Sequence, residues 1–191
     1  MDPYELFASW YKEELESNRS VIPSACCLST NGLDGFPNAR FVSLKSFSEN
    51  GFIITGPTVS RKGMELDASG KTALTFWWTE TQKQVRIQGI ADMIPDDVAK
   101  QFFAERDRAS QLVSIMSQQG KEDMEPGKLL KDFEEALNSD AALSLEKPSN
   151  WGGYLVKPIR IEFMQFRENR FHERWLFLKA DEEWKLLQLQ P

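Results

Sequence analysis

Arg170, His172 and Arg174 recur at every second position of Arg170-Phe171-His172-Glu173-Arg174, and His172 is the chain's only histidine. In an extended strand alternate side chains share a face, so these three would line one wall and Phe171 and Glu173 the other. A row of cationic and titratable groups repels itself unless an anion, a polar ligand or open water compensates it. An anionic ligand is the natural candidate, and a solvated strand face with incidental basic residues is the alternative.

Further cations sit where anions are commonly held. Ser60-Arg61-Lys62-Gly63 lies between a strand-like run and a helix-like one. Ser60 can cap that helix while free backbone amides, the helix dipole and two cations face one small volume, as a phosphate seat requires. Arg40 and Lys45 flank an apolar run at positions of opposite parity, so a regular strand would separate them; either the strand bends or they serve different groups. Arg106 and Ser110 stand four apart, on one face if the segment is helical, and there they would grip one phosphate together. An exposed helical Arg beside an incidental Ser is the other reading. Gln84 opens Gln84-Val-Arg-Ile-Gln-Gly89, where an amide can serve a ring bearing both donors and acceptors, or can simply face solvent. Trp151-Gly152-Gly153-Tyr154 reads as a point where backbones crowd beneath an aromatic.

Several chemistries are excluded. There is no Gly-x-Ser-x-Gly, and one histidine between arginines does not make a triad. One histidine without clustered ligands makes no metal site, and neither a P-loop nor a dinucleotide fingerprint is present. What remains is at least two anion sites without obvious catalytic side chains, the pattern of a protein whose chemistry comes from a phosphorylated cofactor.

The elements that must position these residues follow from pattern. A chain of 191 residues with 41% hydrophobic and 12% aromatic content can bury a core as one domain spanning 1–191. Its net charge of −6 and pI near 5.0 argue against general affinity for nucleic acid or an anionic membrane surface. No run of 18 apolar residues or signal-like start occurs, and adjacent Cys26 and Cys27 read as strand thiols in a reducing compartment, so a soluble cytoplasmic protein is expected. Asp2, Pro3 and Glu5 open an amphipathic helix carrying Tyr4, Phe7, Ala8, Tyr11 and Leu15, with a capping box expected at Glu5. Strands are expected at Cys26–Thr30, Ala39–Lys45, Phe52–Thr55, Thr72–Trp78 and Gln84–Met93, with a short helix from Ser60 to Ala68. Two or three helices follow Pro95, a surface loop runs from Asn138 to Asn150, and strands return at Tyr154–Val156, Ile159–Phe166, Phe171–Leu178 and Trp184–Leu189. Strands at both ends with helices between predict a mainly β protein with flanking helices, built as a closed or partly closed antiparallel barrel.

In order, Arg40-Phe-Val-Ser-Leu-Lys45, Ser60-Arg-Lys-Gly63, Gln84-Val-Arg-Ile-Gln-Gly89, Arg106 with Ser110-Gln111, Trp151-Gly-Gly-Tyr154, Ile161-Glu-Phe163 and Arg170-Phe-His-Glu-Arg174 resemble the pyridoxamine 5′-phosphate oxidase family. The likeness runs from about Tyr4 to Pro191. It implies an FMN-binding split β-barrel that forms a homodimer with FMN at the subunit interface, without nucleic-acid or membrane partners. It also implies oxidation of a small phosphorylated pyridine, pyridoxamine or pyridoxine 5′-phosphate, to pyridoxal 5′-phosphate with hydrogen peroxide as the second product. By the same carry-over Arg40, Lys45, Arg61, Lys62, Gln84, Gln119 and Arg174 would hold FMN. Lys45, Arg106, Ser110, Arg170 and His172 would hold the substrate, Arg170 and His172 acting at its reacting end.

Some positions depart from the family pattern. Phe102 replaces a Tyr, Thr55-Gly56 a Tyr-Thr pair, Gly120 a Ser, Met164 a Trp and Gln188 an Arg, and the basic arm that often precedes the first helix is expected to be missing. These departures leave two alternatives open: an FMN oxidase of the phenazine-biosynthesis type acting on another aromatic substrate, and a non-catalytic carrier of FMN or pyridoxal phosphate.

Overall fold

The computed structural model describes residues 1–17, 21–139, 145–181 and 183–191. Asp2 caps α1 (Pro3–Glu16) by accepting the amides of Tyr4 and Glu5 at 2.8 and 3.0 Å, and Pro3 at the first helical position has no N–H to lose. The helix turns Phe7 into the core, where it meets Phe47, Phe52 and Phe76 edge to face with centroids 4.8, 4.9 and 5.2 Å away. These T-shaped contacts add to the large area each ring buries.

Eight strands follow among the described residues: β1 (Ala25–Asn31), β2 (Pro37–Ser48), β3 (Gly51–Pro57), β4 (Lys71–Trp78), β5 (Lys83–Met93), β6 (Trp151–Gln165), β7 (Glu173–Ala180) and β8 (Glu183–Leu189). They are hydrogen-bonded in the order β3-β2-β1-β4-β5-β6-β7-β8, all antiparallel, and β3 also pairs with β6. Six strands therefore close a barrel, and β7 and β8 extend from it, which is the split barrel expected from the sequence. Alternation sets the inward face: Thr72, Leu74, Phe76 and Trp78 of β4 are buried, as are Val85, Ile87 and Ala91 of β5. Cys26 lies in this core, and burial pushes its thiol up to about 12.

The seam between β3 and β6 explains the second of the two glycines after Trp151. A Cβ on Gly153 would lie 2.7 Å from the Ile54 carbonyl oxygen and 2.8 Å from Ile94, so only glycine lets these strands meet. Five helices are present among the described residues. α2 (Arg61–Ser69) packs near β1, α3 (Asp96–Ala104) buries Ala99 and Phe103 with Trp151 and Ile94, and α4 (Arg108–Met116) and α5 (Lys128–Asn138) lie beyond. Residues 140–144 of the expected 138–150 loop lie outside the described residues.

Three expectations are corrected. Glu5 makes no return bond to Asp2 among the hydrogen bonds of the described residues, so the cap is one-sided. The two strands expected at 154–166 are one strand, β6. Its Pro158, which has no N–H to give, sits opposite Gly89 where the β5 register shifts between Gln88 and Gly89. β7 begins at Glu173 rather than Phe171, because Arg170 takes a left-handed φ of 66° and its amide closes a turn on the Arg167 carbonyl at 3.0 Å. Arg170 and His172 thus belong to a loop, and the shared strand face with Arg174 does not form.

Candidate functional site

A cavity of about 500 Å³ opens beside β2, β3 and α2, and Arg40, Lys45, Arg61, Lys62, Arg106 and Gln119 all line it. Arg40 and Lys45 reach it together because the pairing of β2 with β3 slips between Leu44 and Ser46. That bulge breaks the parity a regular strand would impose, which settles the choice left open by the sequence in favour of a bent strand. Gly63 brings α2 close: a Cβ there would lie 1.9 Å from the Thr58 carbonyl oxygen. Ser60 does not cap α2 as expected; its hydroxyl donates to the Pro57 carbonyl at 2.6 Å, and no side chain caps the helix amides.

Two of the cations are held by a carboxylate the motifs did not single out. Glu65 is fully buried and receives Arg40 Nη2 and Arg61 Nε, each at 2.9 Å, together with the Thr30 hydroxyl and the Asn38 amide at 2.5 Å. Burial alone would raise this carboxyl, but the bonds from Thr30, Arg61, Arg40 and Asn38 prevail and hold it at about 2. Arg61 also meets Asp34 at 2.7 Å. One signal of Glu65 was legible, its place four residues after Arg61 on a helix.

The remaining cations form no ion pair with a carboxylate among the described residues. Lys62 donates to Ser60 Oγ at 3.1 Å and to Gln119 Oε1, and burial followed by repulsion from Arg40 lowers its ammonium to about 8. Burial and then the charge of Arg106 pull Lys45 down as well. Arg106, itself lowered by burial, lies 5.3 Å from the Trp151 ring centroid, donates to the Ser110 carbonyl at 3.0 Å and to Ser114 Oγ at 3.3 Å, and keeps a buried Nε without a partner. Thr55 Oγ1, on the same cavity, is likewise buried and unpartnered. Lysines depressed below their ordinary range and orphaned donors mark a place built for a negatively charged guest.

Ser110 is not brought to this cavity. Arg106 precedes α4 rather than sharing its face, and the Ser110 hydroxyl and amide turn to the helix cap Asp107 at 2.6 and 2.9 Å.

Gln84, Arg174, Arg170 and His172 form a second group that lines no part of the cavity. Trp77, Gln84, Met164 and Arg174 stand directly opposite one another across β4, β5, β6 and β7, so they share the outer face of the sheet. Arg174 places Nε and Nη2 2.9 and 2.6 Å from Glu162 Oε1, and Arg86 reaches the other oxygen at 3.1 Å. Glu162 therefore compensates Arg174 and Arg86, where the sequence pattern favoured an external anion, while Arg170 and His172 lie in the loop before β7. In the loop before β7, His172 Nδ1 accepts the Arg167 amide at 3.1 Å.

The chain's likeness to known proteins covers both groups of residues. Residues 14–136 match the model of the pyridoxamine 5′-phosphate oxidase family, and residues 151–191 match that of the pyridoxine 5′-phosphate oxidase C-terminal dimerisation region. The chain belongs to the pyridoxamine 5′-phosphate oxidase family. Among the family's curated members, the pyridoxine/pyridoxamine 5′-phosphate oxidase of Rubrobacter xylanophilus is 37% identical over 190 residues, covering 100% of this chain and 87% of its own. That of Flavobacterium johnsoniae is 36% identical over 98% of this chain and 88% of its own. Of the solved structures, PhzG from Burkholderia lata in complex with tetrahydrophenazine-1-carboxylic acid superposes with a TM-score of 0.91 at 28% identity, covering 100% of this chain and 93% of that one. Relatives' names indicate an oxidase of the family. Among the described residues no helix is long and apolar enough to cross a membrane.

Proposed function

We propose that the chain, acting as one domain over residues 1–191, is an FMN-dependent oxidase that converts pyridoxamine or pyridoxine 5′-phosphate to pyridoxal 5′-phosphate. The observation that carries this reading is the trio Lys45, Lys62 and Arg106: three cations on one cavity with no carboxylate partner among the described residues and with orphaned donors beside them. Such a site favours phosphate, and 500 Å³ is of the size that small ligands occupy.

The donor set fits FMN. Arg40, Lys45, Arg61 and Lys62 would hold its phosphate end, with Arg40 and Arg61 kept in place by Glu65, and Gln119 would complete that wall. Gln84 and Arg174 would meet its ring from the outer sheet face. When bound, FMN would take a hydride from the substrate carbon that bears the amine or alcohol and pass the electrons to oxygen as hydrogen peroxide. The chain's own task is then alignment: Lys45, Arg106 and Ser110 toward the substrate phosphate, Arg170 and His172 toward the reacting end. Ser110 would have to leave Asp107 to take part.

Within one chain the two groups of residues lie apart, and a homodimer with FMN at the interface would bring the cavity of one protomer to the outer sheet face of its partner. The match of residues 151–191 to a dimerisation region supports this arrangement, since that segment carries Met164, Arg170, His172 and Arg174. A soluble cytoplasmic protein is part of the same proposal.

A second reading is favoured by Phe102. It packs beside Phe103 and Trp151 where the family pattern has a hydroxyl, so a substrate phosphate would lose a donor, and the likeness to PhzG points to a larger aromatic substrate instead. An absorbance spectrum followed by anaerobic addition of pyridoxamine 5′-phosphate decides between them. A flavin spectrum that bleaches and recovers with air supports the first reading, and flavin that stays oxidised with this substrate overturns it.

A further inference from the structure

The segment between β6 and β7 carries an aromatic stack for which the proposed alignment leaves no task. Trp77, 52% exposed, meets Phe166 edge to face with centroids 4.5 Å apart, and Phe166 lies 4.9 Å from the His172 ring at 54°. Phe166 is fixed from behind: its amide donates to the Gln82 carbonyl at 3.0 Å, and the Gln165 side chain donates to the carbonyls of Thr81 and Gln82, both at 3.2 Å. The next residue then reaches His172 directly, the Arg167 amide donating to Nδ1 at 3.1 Å while its guanidinium holds Glu173 at 3.0 and 2.7 Å.

A backbone amide can only donate, so Nδ1 must be the bare nitrogen of the neutral ring and the proton must sit on Nε2. A single hydrogen bond to an exposed loop amide would fix this weakly, because the ring could still rotate about its bond to Cβ. Phe166 against the imidazole restricts that rotation, and Trp77 against Phe166 keeps Phe166 from moving aside. Met164 stands where the family pattern has Trp, and in the same cross-strand row the aromatic bulk is found at Trp77.

We infer that Phe166, backed by Trp77, is a positioning residue that holds His172 as an Nε2–H donor toward an acceptor atom of the substrate. The inference rests on the reading of His172 as a substrate contact. It makes the stack a determinant of which ring is accepted, since a substrate must present an oxygen or nitrogen lone pair to that proton.

Because His172 is the only histidine, long-range proton–nitrogen correlation spectra of histidine-labelled protein report it alone. In alkaline solution, where imidazoles are neutral, the wild type should show one tautomer with Nδ1 unprotonated, Phe166→Ala should populate both, and Phe166→Tyr should restore one. In the flavin-loaded enzyme Phe166→Ala should raise KM for pyridoxamine 5′-phosphate about fivefold, the size of one misaligned hydrogen bond, with flavin retention unchanged. Mixed tautomers in the wild type, a tautomer indifferent to Phe166→Ala, or a lost tautomer without change in KM would each overturn the inference. The spectrum requires neither flavin nor turnover. A protein that passes it yet does not oxidise pyridoxamine 5′-phosphate speaks against the oxidase reading and not against the locked ring.

Discussion

Arg40 and Glu65 form an ion pair at the cavity, Nη2 to Oε2 2.9 Å, and the carboxylate of that pair is fully buried. Removing Glu65 takes away the acceptor shared by Arg40, Arg61, Thr30 and Asn38 and leaves two partly exposed guanidinium groups that water can reach, a loss of about 1–3 kcal/mol. Glu65→Ala is therefore expected to lower the free energy of unfolding by about that amount in urea titrations. The pH dependence follows from the lowered carboxyl. Stability from Glu65 is complete above its ordinary value of 4.5 and drains away as pH falls toward about 2, where the folded-state carboxyl takes up its proton. Unfolding measured across that window should lose much of its slope in Glu65→Gln.

Lys62 gives a pH dependence of opposite origin. Its ammonium is lowered from 10.5 to about 8, so the ligand-free fold gains stability as pH rises from 8 toward 10.5. A phosphate dianion favours the protonated form, so FMN binding should take up a proton near pH 8–9 and weaken as pH rises through 8. Calorimetric titrations in buffers of different ionisation enthalpy measure the uptake, and Lys62→Met should both weaken binding and flatten its decline with pH.

Arg174→Ala is expected to weaken FMN by about 1–3 kcal/mol through loss of a charge-assisted contact, while Glu162 keeps Arg86 and the fold survives. Flavin fluorescence titration checks this, and unchanged affinity would remove Arg174 from the site.

Arg170 sits at φ 66°, where a side chain costs about 1 kcal/mol relative to glycine. Arg170→Gly should raise stability by roughly that much in thermal unfolding, retain FMN, and yet lose turnover. A variant that is more stable and less active would separate the loop's shape from its charge.

Most of the barrel was legible because period-2 burial is written into runs such as Thr72–Trp78, and Trp151-Gly152-Gly153-Tyr154 was legible as a backbone crowding point, although not as the seam where β3 meets β6. The seat of Arg61 and Lys62 at a helix start was also legible, whereas Arg40 joined them only through the family resemblance, and the cavity brings all three together. What local pattern could not supply was every feature made by distant pairing. The bulge that joins Lys45 to Arg40 depends on how β2 meets β3, the compensation of Arg174 depends on a carboxylate from β6, and the turn at Arg170 overrides an alternation that looked like strand. The Arg106–Ser110 spacing misled for a simpler reason: Asp107 begins the helix one residue too late for them to share it.

The barrel closes only when β3 meets β6, and Phe52 pairs with Val156 across most of the chain. On a ribosome adding roughly 5–20 residues each second, the β3 edge waits for about 5–20 seconds before its partner exists. Throughout that interval its backbone is an unsatisfied template for any passing strand. A chaperone that shields residues 51–57 of the nascent chain would therefore be expected to raise yield more than one acting on the finished protein.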